Sequence, residues 1–246
     1  IPEPLKRPQT PVPPYSYNEE EVSYENKAAE ITLAGTLTLP KEGGPFPVAL
    51  MITGSGNHDR DETIFEHKPF KVIADHLTKQ GIAVLRVDDR GIGQSTGTCD
   101  YATDKDFATD VLAGVEYLKT RSDIKTIGLI GHSAGGHIAS MAAVQSKDIS
   151  FIVSMAGTGV NGEEILYEQG KLISQAAGLS DEEVTKAINQ RKEMCLILKT
   201  EKDLTEAKKK LDKVFEITKE AQSLTSTKVL PWFQHFITHD PIPNLK

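Results

Sequence analysis

The sequence predicts an α/β fold, a mostly parallel sheet with helices on its faces. Three observations carry this. Four short, largely apolar runs, "FPVALMITG" (46–54), "IAVLRVD" (82–88), "KTIGLIG" (125–131) and "ISFIVSMAG" (149–157), read as strands buried on both faces. Helical patterns separate them, and alternation of buried strand and helix means parallel strands joined by right-handed crossovers. Each run also ends in a loop rich in glycine and polar residues, at the end of the sheet where reactive groups gather in such folds.

Taken in order, residues 1–20 are dense in proline and read as an N-terminal arm or linker rather than a folded element. The chain opens at Ile1 without methionine or a signal peptide, which reads as processing, truncation or excision from a longer protein. From Glu21, "EVSYEN" and "AEITLAGTLTLP" alternate, predicting two paired antiparallel strands. Residues 68–81 form an amphipathic helix closed by Gly81. A second helix over 103–121 starts at a Thr cap and carries Phe107, Val111, Leu112, Val115 and Leu118 on one face. A third follows the 125–131 strand as "AGGHIASMAAVQS". The α/β core would thus span 21–157.

After Gly157 the pattern turns helical and charged. At least three helices are expected over 163–224, with "LSDEE" (179–183) as the clearest helix start. Residues 158–238 are expected to be a helical cap laid across the strand ends, the plainer reading being a solvated bundle. Trp232, Phe233 and Phe236, bracketed by prolines, are expected to pack as an irregular segment against the body. Residues 239–246 would begin a return to the core.

Bulk composition narrows the function classes. The 246 residues suffice for one large α/β domain, and 26% charged with 6% aromatic residues is an ordinary globular mix. The net charge of −7 argues against nucleic acid or an anionic membrane as the main partner. No apolar run approaches the roughly 18 residues of a membrane-inserted helix. Cys99 and Cys195 are too few for a disulfide framework or a paired-cysteine zinc site.

The chemistry centres on Gly131-His132-Ser133-Ala134-Gly135, a Gly-x-Ser-x-Gly elbow between a strand and a helix. A sharp turn there pushes a hydroxyl out above the sheet, and bulky neighbours two residues away would collide. The helix that follows aims its first amides at the same spot, which suits a developing oxyanion. Ser133 is therefore the candidate nucleophile. Upstream, "ITGSGNHDRDE" (52–62) flanks Ser55 with glycines, so the backbone N–H groups of Ser55 and Ala134 form the candidate oxyanion hole. His58, Asp59 and Asp61 lie in that loop; acids alternating around Arg60 read as an ion-pair network rather than a metal site. No cofactor or metal is expected.

These segments carry a resemblance. "VDDRGIGQSTG" (87–97), "GHSAGG" (131–136), "TGSGNHDRDE" (53–62) and "RPQTPVPPYSYNEEEVSYEN" (7–26) resemble the bacterial α/β-hydrolase carboxylesterases, more narrowly the secreted or multidomain ones with a module ahead of the hydrolase domain. The resemblance implies an α/β-hydrolase fold with Ser133 as nucleophile and Ser55 and Ala134 as oxyanion donors. It implies a structural turn at Arg90, Gly91 and Gly93, and a cap between the family's strands six and seven. It also implies a short-chain acyl or acetyl ester as substrate and a secreted or periplasmic setting. Two positions depart from the pattern: Ala134 replaces a frequent acidic residue, and Thr53 stands where many hydrolases have histidine. A hole built from backbone amides tolerates both.

In that fold the chain order is nucleophile, acid, histidine. His132 flanks Ser133 where it cannot take the serine's proton, and with His58 it is a candidate pocket residue. His137 belongs to the following helix, His67 and His76 read as surface positions, and His235 and His239 fall at the end of the cap. No carboxylate follows the 149–157 strand until Glu163; Asp240 reads as a turn residue, and Asp88 and Asp89 as parts of the Arg90 turn. The triad acid and histidine are therefore expected beyond Lys246, with this chain alone inactive. "ISFIVSMAG" would then be an exposed apolar sheet edge, open to self-association or to further chain. The leading reading is a serine hydrolase of small-molecule esters working through an acyl-enzyme. A peptidase or thioesterase on the same scaffold and a non-catalytic fragment are the alternatives. A nucleotide-binding domain is disfavoured, because "DDRGIGQSTG" lacks a P-loop lysine and the dinucleotide spacing.

Overall fold

Nine residues of alternating exposure, Asn18–Asn26, make β1, and Ile31–Leu39 make β2; the two pair antiparallel with Val22 opposite Gly35. In this computed structural model, which describes residues 6–215 and 226–245, β1 begins three residues before the sequence alternation suggests, because its first residues Asn18–Glu20 are polar on both faces. The chain then runs β3 (Phe46–Ile52), α1 (Pro69–Lys79), β4 (Ala83–Val87), α2 (Asp104–Lys119), β5 (Ile124–His132), α3 (Ala134–Ala143) and β6 (Ile149–Met155). The six strands lie in the order β1-β2-β4-β3-β5-β6. β2 pairs antiparallel with β4, whereas β4, β3, β5 and β6 are mutually parallel.

The continuous apolar runs serve two faces at once. Along β3, Val48, Leu50 and Ile52 join a cluster with Leu33, Leu37, Leu85, Val115, Leu118 and Leu129. Ala49 and Met51 point the other way, to Phe70 and Ala74 of α1. Each such fully buried Leu or Val is worth about 1.5–3 kcal/mol, so this sheet is rigid enough to hold loops at its strand ends in place.

The proline-rich N-terminal stretch is fastened to this core along its described part. Tyr17 is buried and donates to Asp75 of α1 at 3.1 Å, and its ring stacks on Tyr15. Arg7 donates to the Phe65 carbonyl at 2.8 Å. At the opposite edge β6 pairs only with β5 among the described residues, leaving Phe151 and Val153 42% and 43% exposed. The apolar edge anticipated at "ISFIVSMAG" is present there.

Two compact units divide the chain: residues 1–99 with 105–157, and residues 100–104 with 158–246. In the second, α4 (Gly162–Ala176), α5 (Asp181–Thr200) and α6 (Leu204–Val214) match the three helices expected, with 216–224 of that span outside the described residues. The "LSDEE" signal becomes a full capping box between Ser180 and Glu183. Asn161 and Asp203 cap α4 and α6.

One expectation fails in this unit. Trp232, Phe233 and Phe236 do not pack as an irregular segment but lie on a helix, α7 (Leu230–Thr238). Pro231 sits in its first turn, where a missing N–H costs nothing, so proline here starts a helix instead of breaking one. Ile242–Leu245 make a 3-10 turn. Asp240 does act as the turn residue expected, accepting from the Ile242 N–H at 3.0 Å. The unit's own core is Cys195, Leu198, Ala207, Leu211, Leu230, Phe236 and Ile237.

Candidate active site

One residue separates β5 from α3, and it is Ser133, at φ +52° and ψ −117°. A non-glycine residue in this region costs of order 1–3 kcal/mol and persists only where its surroundings fix it. They do so here: the Ser133 N–H donates to the Met155 carbonyl at 2.9 Å, and the Ser133 carbonyl accepts from Gly136 at 3.0 Å. The elbow glycines are required by close approach. A Cβ on Gly131 would lie 2.1 Å from the Gly135 carbonyl oxygen, and one on Gly135 would lie 2.3 Å from that of Ile52. Ala134 is the first residue of α3, so its N–H has no acceptor within the helix and stands at the positive end of the helix dipole. Among the described residues, nothing hydrogen-bonds the Ser133 hydroxyl.

The loop after β3 lies directly against this corner. A Cβ on Gly54 would be 3.4 Å from Ser133 Cβ, 3.3 Å from His132 Nδ1 and 3.2 Å from Glu62 Oε1. A side chain here would press on all three neighbours. Two carboxylates hold it. Glu62, 2% exposed, accepts the Gly54 N–H at 2.7 Å and meets His132 Nδ1 at 2.8 Å through the same oxygen. Asp89 accepts the Thr53 hydroxyl through one oxygen and the His58 N–H through the other, each at 2.8 Å. Burial pushes the Asp89 carboxyl up to about 6, against the pull of those two hydrogen bonds. The His58 ring closes the loop on itself, with Nε2 3.0 Å from the Ser55 carbonyl.

Ser133, Ala134 and the loop bearing Ser55 are thus brought to one corner. His58 and His132, singled out as pocket residues, have one ring nitrogen each engaged in holding that corner. Of the acids flanking Arg60, only Asp61 joins an ion-pair network; Asp59 instead accepts hydrogen bonds from the Asp61 and Thr63 N–H groups and the Thr63 hydroxyl. Arg60 pairs with Asp88 and Glu21, while Asp61 pairs with Arg86 and Lys68. Burial raises the Asp88 carboxyl, but Arg60 overrides this and holds it below the usual carboxylate range. Arg90 pins its turn to α2 through Asp110 at 2.7 Å and the Asp106 carbonyl at 2.6 Å. In the second unit, His235 Nδ1 is 3.1 Å from Asp104, which also accepts the Trp232 indole N–H.

Sequence reasoning missed Glu62 and misplaced Asp89. Asp89 does join the Arg90 turn by its backbone, its carbonyl accepting from Ile92, but its side chain belongs to the serine-side loop. The available signal was a carboxylate eight residues beyond Gly54 and another at the end of the neighbouring strand, both able to reach loop amides.

A doubly wound, mostly parallel sheet with a serine on a left-handed strand-to-helix corner defines an α/β-hydrolase. The profile described as X-Pro dipeptidyl-peptidase (S15 family) matches residues 30–240, and the chain belongs to that family. Esterase EstD of Thermotoga maritima is 34% identical over 169 residues, covering 69% of this chain and 39% of that protein. Human dipeptidyl peptidase 8 is 30% identical over 171 residues, 65% of this chain and 18% of that protein. The chain therefore spans about two fifths or less of the length of these curated relatives. Among solved structures, an esterase of Pyrococcus furiosus superposes with a TM-score of 0.52 at 23% identity, over 70% of this chain and 62% of the other. That likeness is one of fold.

Proposed function

We propose that the protein is a serine hydrolase of carboxylic esters, with Ser133 as nucleophile. The observation that carries this is the strained corner itself: a serine at φ +52° beginning α3, with the Gly54 loop packed against its Cβ. Ser133 Oγ attacks the ester carbonyl as its proton passes to a general base, and the alkoxide leaves with a proton returned to it. Water then cleaves the acyl-serine ester by the same steps in reverse. The Ser55 and Ala134 N–H groups take the oxyanion of each tetrahedral intermediate. A donor of this kind contributes about 10²–10³ in kcat. Kinship with an esterase at 34% identity supports an ester substrate, and short acyl chains are the class proposed.

A second reading, cleavage of proline-containing peptides, is favoured by the description of the matching family. p-Nitrophenyl acetate and glycyl-prolyl-p-nitroanilide separate the two. Turnover of the acetate that is lost in Ser133→Ala supports the ester reading, and turnover of the anilide alone replaces it with the peptidase one. A fluorophosphonate probe checks the nucleophile: the adduct is expected on Ser133, and a folded protein labelled elsewhere or not at all would sink the assignment.

A further inference from the structure

Glu62 has three features that a loop residue with a purely solubilising role would lack. It is buried to 2% exposure, and its backbone sits at φ +50°, a region that disfavours a residue with a long side chain. Its Oε1 serves two partners on different elements: the Gly54 N–H of the loop after β3, and the ring of His132, the last residue of β5. We propose that Glu62 is a positioning residue for hydrolysis, joining the oxyanion loop to the nucleophile elbow through one carboxylate oxygen. This rests on the reading of Ser133 as nucleophile and Ser55 as oxyanion donor.

The geometry explains how the effect would reach the reacting atoms. Accepting the Gly54 N–H fixes the Thr53–Gly54 peptide plane, the plane from which the chain enters the next amide, that of Ser55, and so restrains where that amide can point. Among the described residues no acceptor takes the Ser55 N–H, so that amide stays available. The His132 contact holds the residue bonded directly to Ser133, so a shift of Glu62 moves both sides of the site at once. Asp89 fixes the same loop from its other side, through Thr53 and His58, so loss of Glu62 would loosen the amide direction without releasing the loop. A loosened donor weakens binding of the transition state more than that of the ground state.

The test uses Glu62→Gln, Glu62→Gly and Ser133→Ala in the whole protein, with p-nitrophenyl acetate as substrate and a trifluoromethyl ketone as transition-state analogue. Glutamine keeps an acceptor for Gly54, and glycine adopts the left-handed backbone without strain while removing the carboxylate. Glu62→Gly is expected to lose about 10- to 100-fold in kcat with KM changed less than about 3-fold, and to lose ketone affinity in proportion. Glu62→Gln is expected to recover most of both. Wild-type kcat and ketone affinity in a folded Glu62→Gly protein, alongside an inactive Ser133→Ala, would overturn the role of Glu62 alone. So would a glutamine variant as impaired as the glycine one. Turnover retained in Ser133→Ala would overturn the nucleophile assignment and this inference with it.

Discussion

Asp89 receives the Thr53 hydroxyl at 2.8 Å while its carboxyl lies in a buried setting that favours its neutral form. The loop beside Ser133 is thereby tied to a group that changes charge near pH 6. An unfolded aspartate titrates near 3.9, so as pH rises through the interval up to about 6 the unfolded chain loses its proton first. The folded state holds more protons across that window, so stability falls as pH rises and levels off once Asp89 is ionised. Two units of displacement correspond to about 3 kcal/mol. Denaturant unfolding of the protein and of Asp89→Asn from pH 4 to 7 checks this. The stability difference, wild type minus variant, should shrink by about that amount between pH 4 and 6.5 and stay flat above. A difference that grew over the same interval would contradict the assignment.

The same carboxyl should leave its mark on the reaction. Ionised Asp89 accepts both the Thr53 hydroxyl and the His58 N–H, and protonation removes one acceptor oxygen from the pair. Hydrolysis of p-nitrophenyl acetate should therefore gain an added inflection near pH 6, rising toward higher pH. Asp89→Asn should lack it and sit at the lower level throughout. An identical pH–kcat profile in the two proteins would remove the loop from consideration.

Close packing at the elbow gives a stability prediction with an internal control. A methyl at Gly135 would press on two backbone carbonyl oxygens, those of Ile52 at 2.3 Å and Thr53 at 2.5 Å, neither of which can rotate away. Gly135→Ala should cost more than about 2 kcal/mol, a fall of roughly 4–8 °C in Tm for a chain of this size. A methyl at Gly159 would meet nothing within 4 Å, so Gly159→Ala should stay within about 0.5 kcal/mol of wild type. Equal Tm values for the two variants would mean that α3 is not seated on the end of β3.

What the sequence made legible was whatever depends on local pattern. Uninterrupted apolar runs such as Val48–Ile52 announce burial on both faces, and Ser180 with Glu183 announces a helix start. The elbow glycines announce a turn that excludes side chains. Glu62 and Asp89 are harder to read: Glu62 meets Gly54, 8 residues away, only once their loop folds back on itself, and Asp89 meets Thr53, 36 residues away, because β3 and β4 lie side by side. The helix at Leu230–Thr238 was misread for a different reason: Pro231 suppresses a helix in its interior and favours one in its first turn, and position alone decides between them.

Within that helix, Trp232 links an aromatic stack to a buried carboxyl group. Its ring stacks on Phe236 at 4.9 Å and meets Phe233 edge-on, while its indole N–H donates at 2.7 Å to Asp104, which is 0% exposed. Trp232→Phe keeps an aromatic ring and removes the donor. A buried carboxylate deprived of a donor costs about 1–3 kcal/mol, to which the smaller ring adds a packing loss. Asp104→Ala, which removes the acceptor, separates the two contributions: in a double-mutant cycle, packing is common to both backgrounds and cancels, leaving the hydrogen bond. Thermal or denaturant unfolding of the four proteins should return a coupling of about 1 kcal/mol or more, since the acceptor is shielded from water. A coupling below about 0.3 kcal/mol would show that Trp232 holds its place through the Phe233 and Phe236 contacts alone.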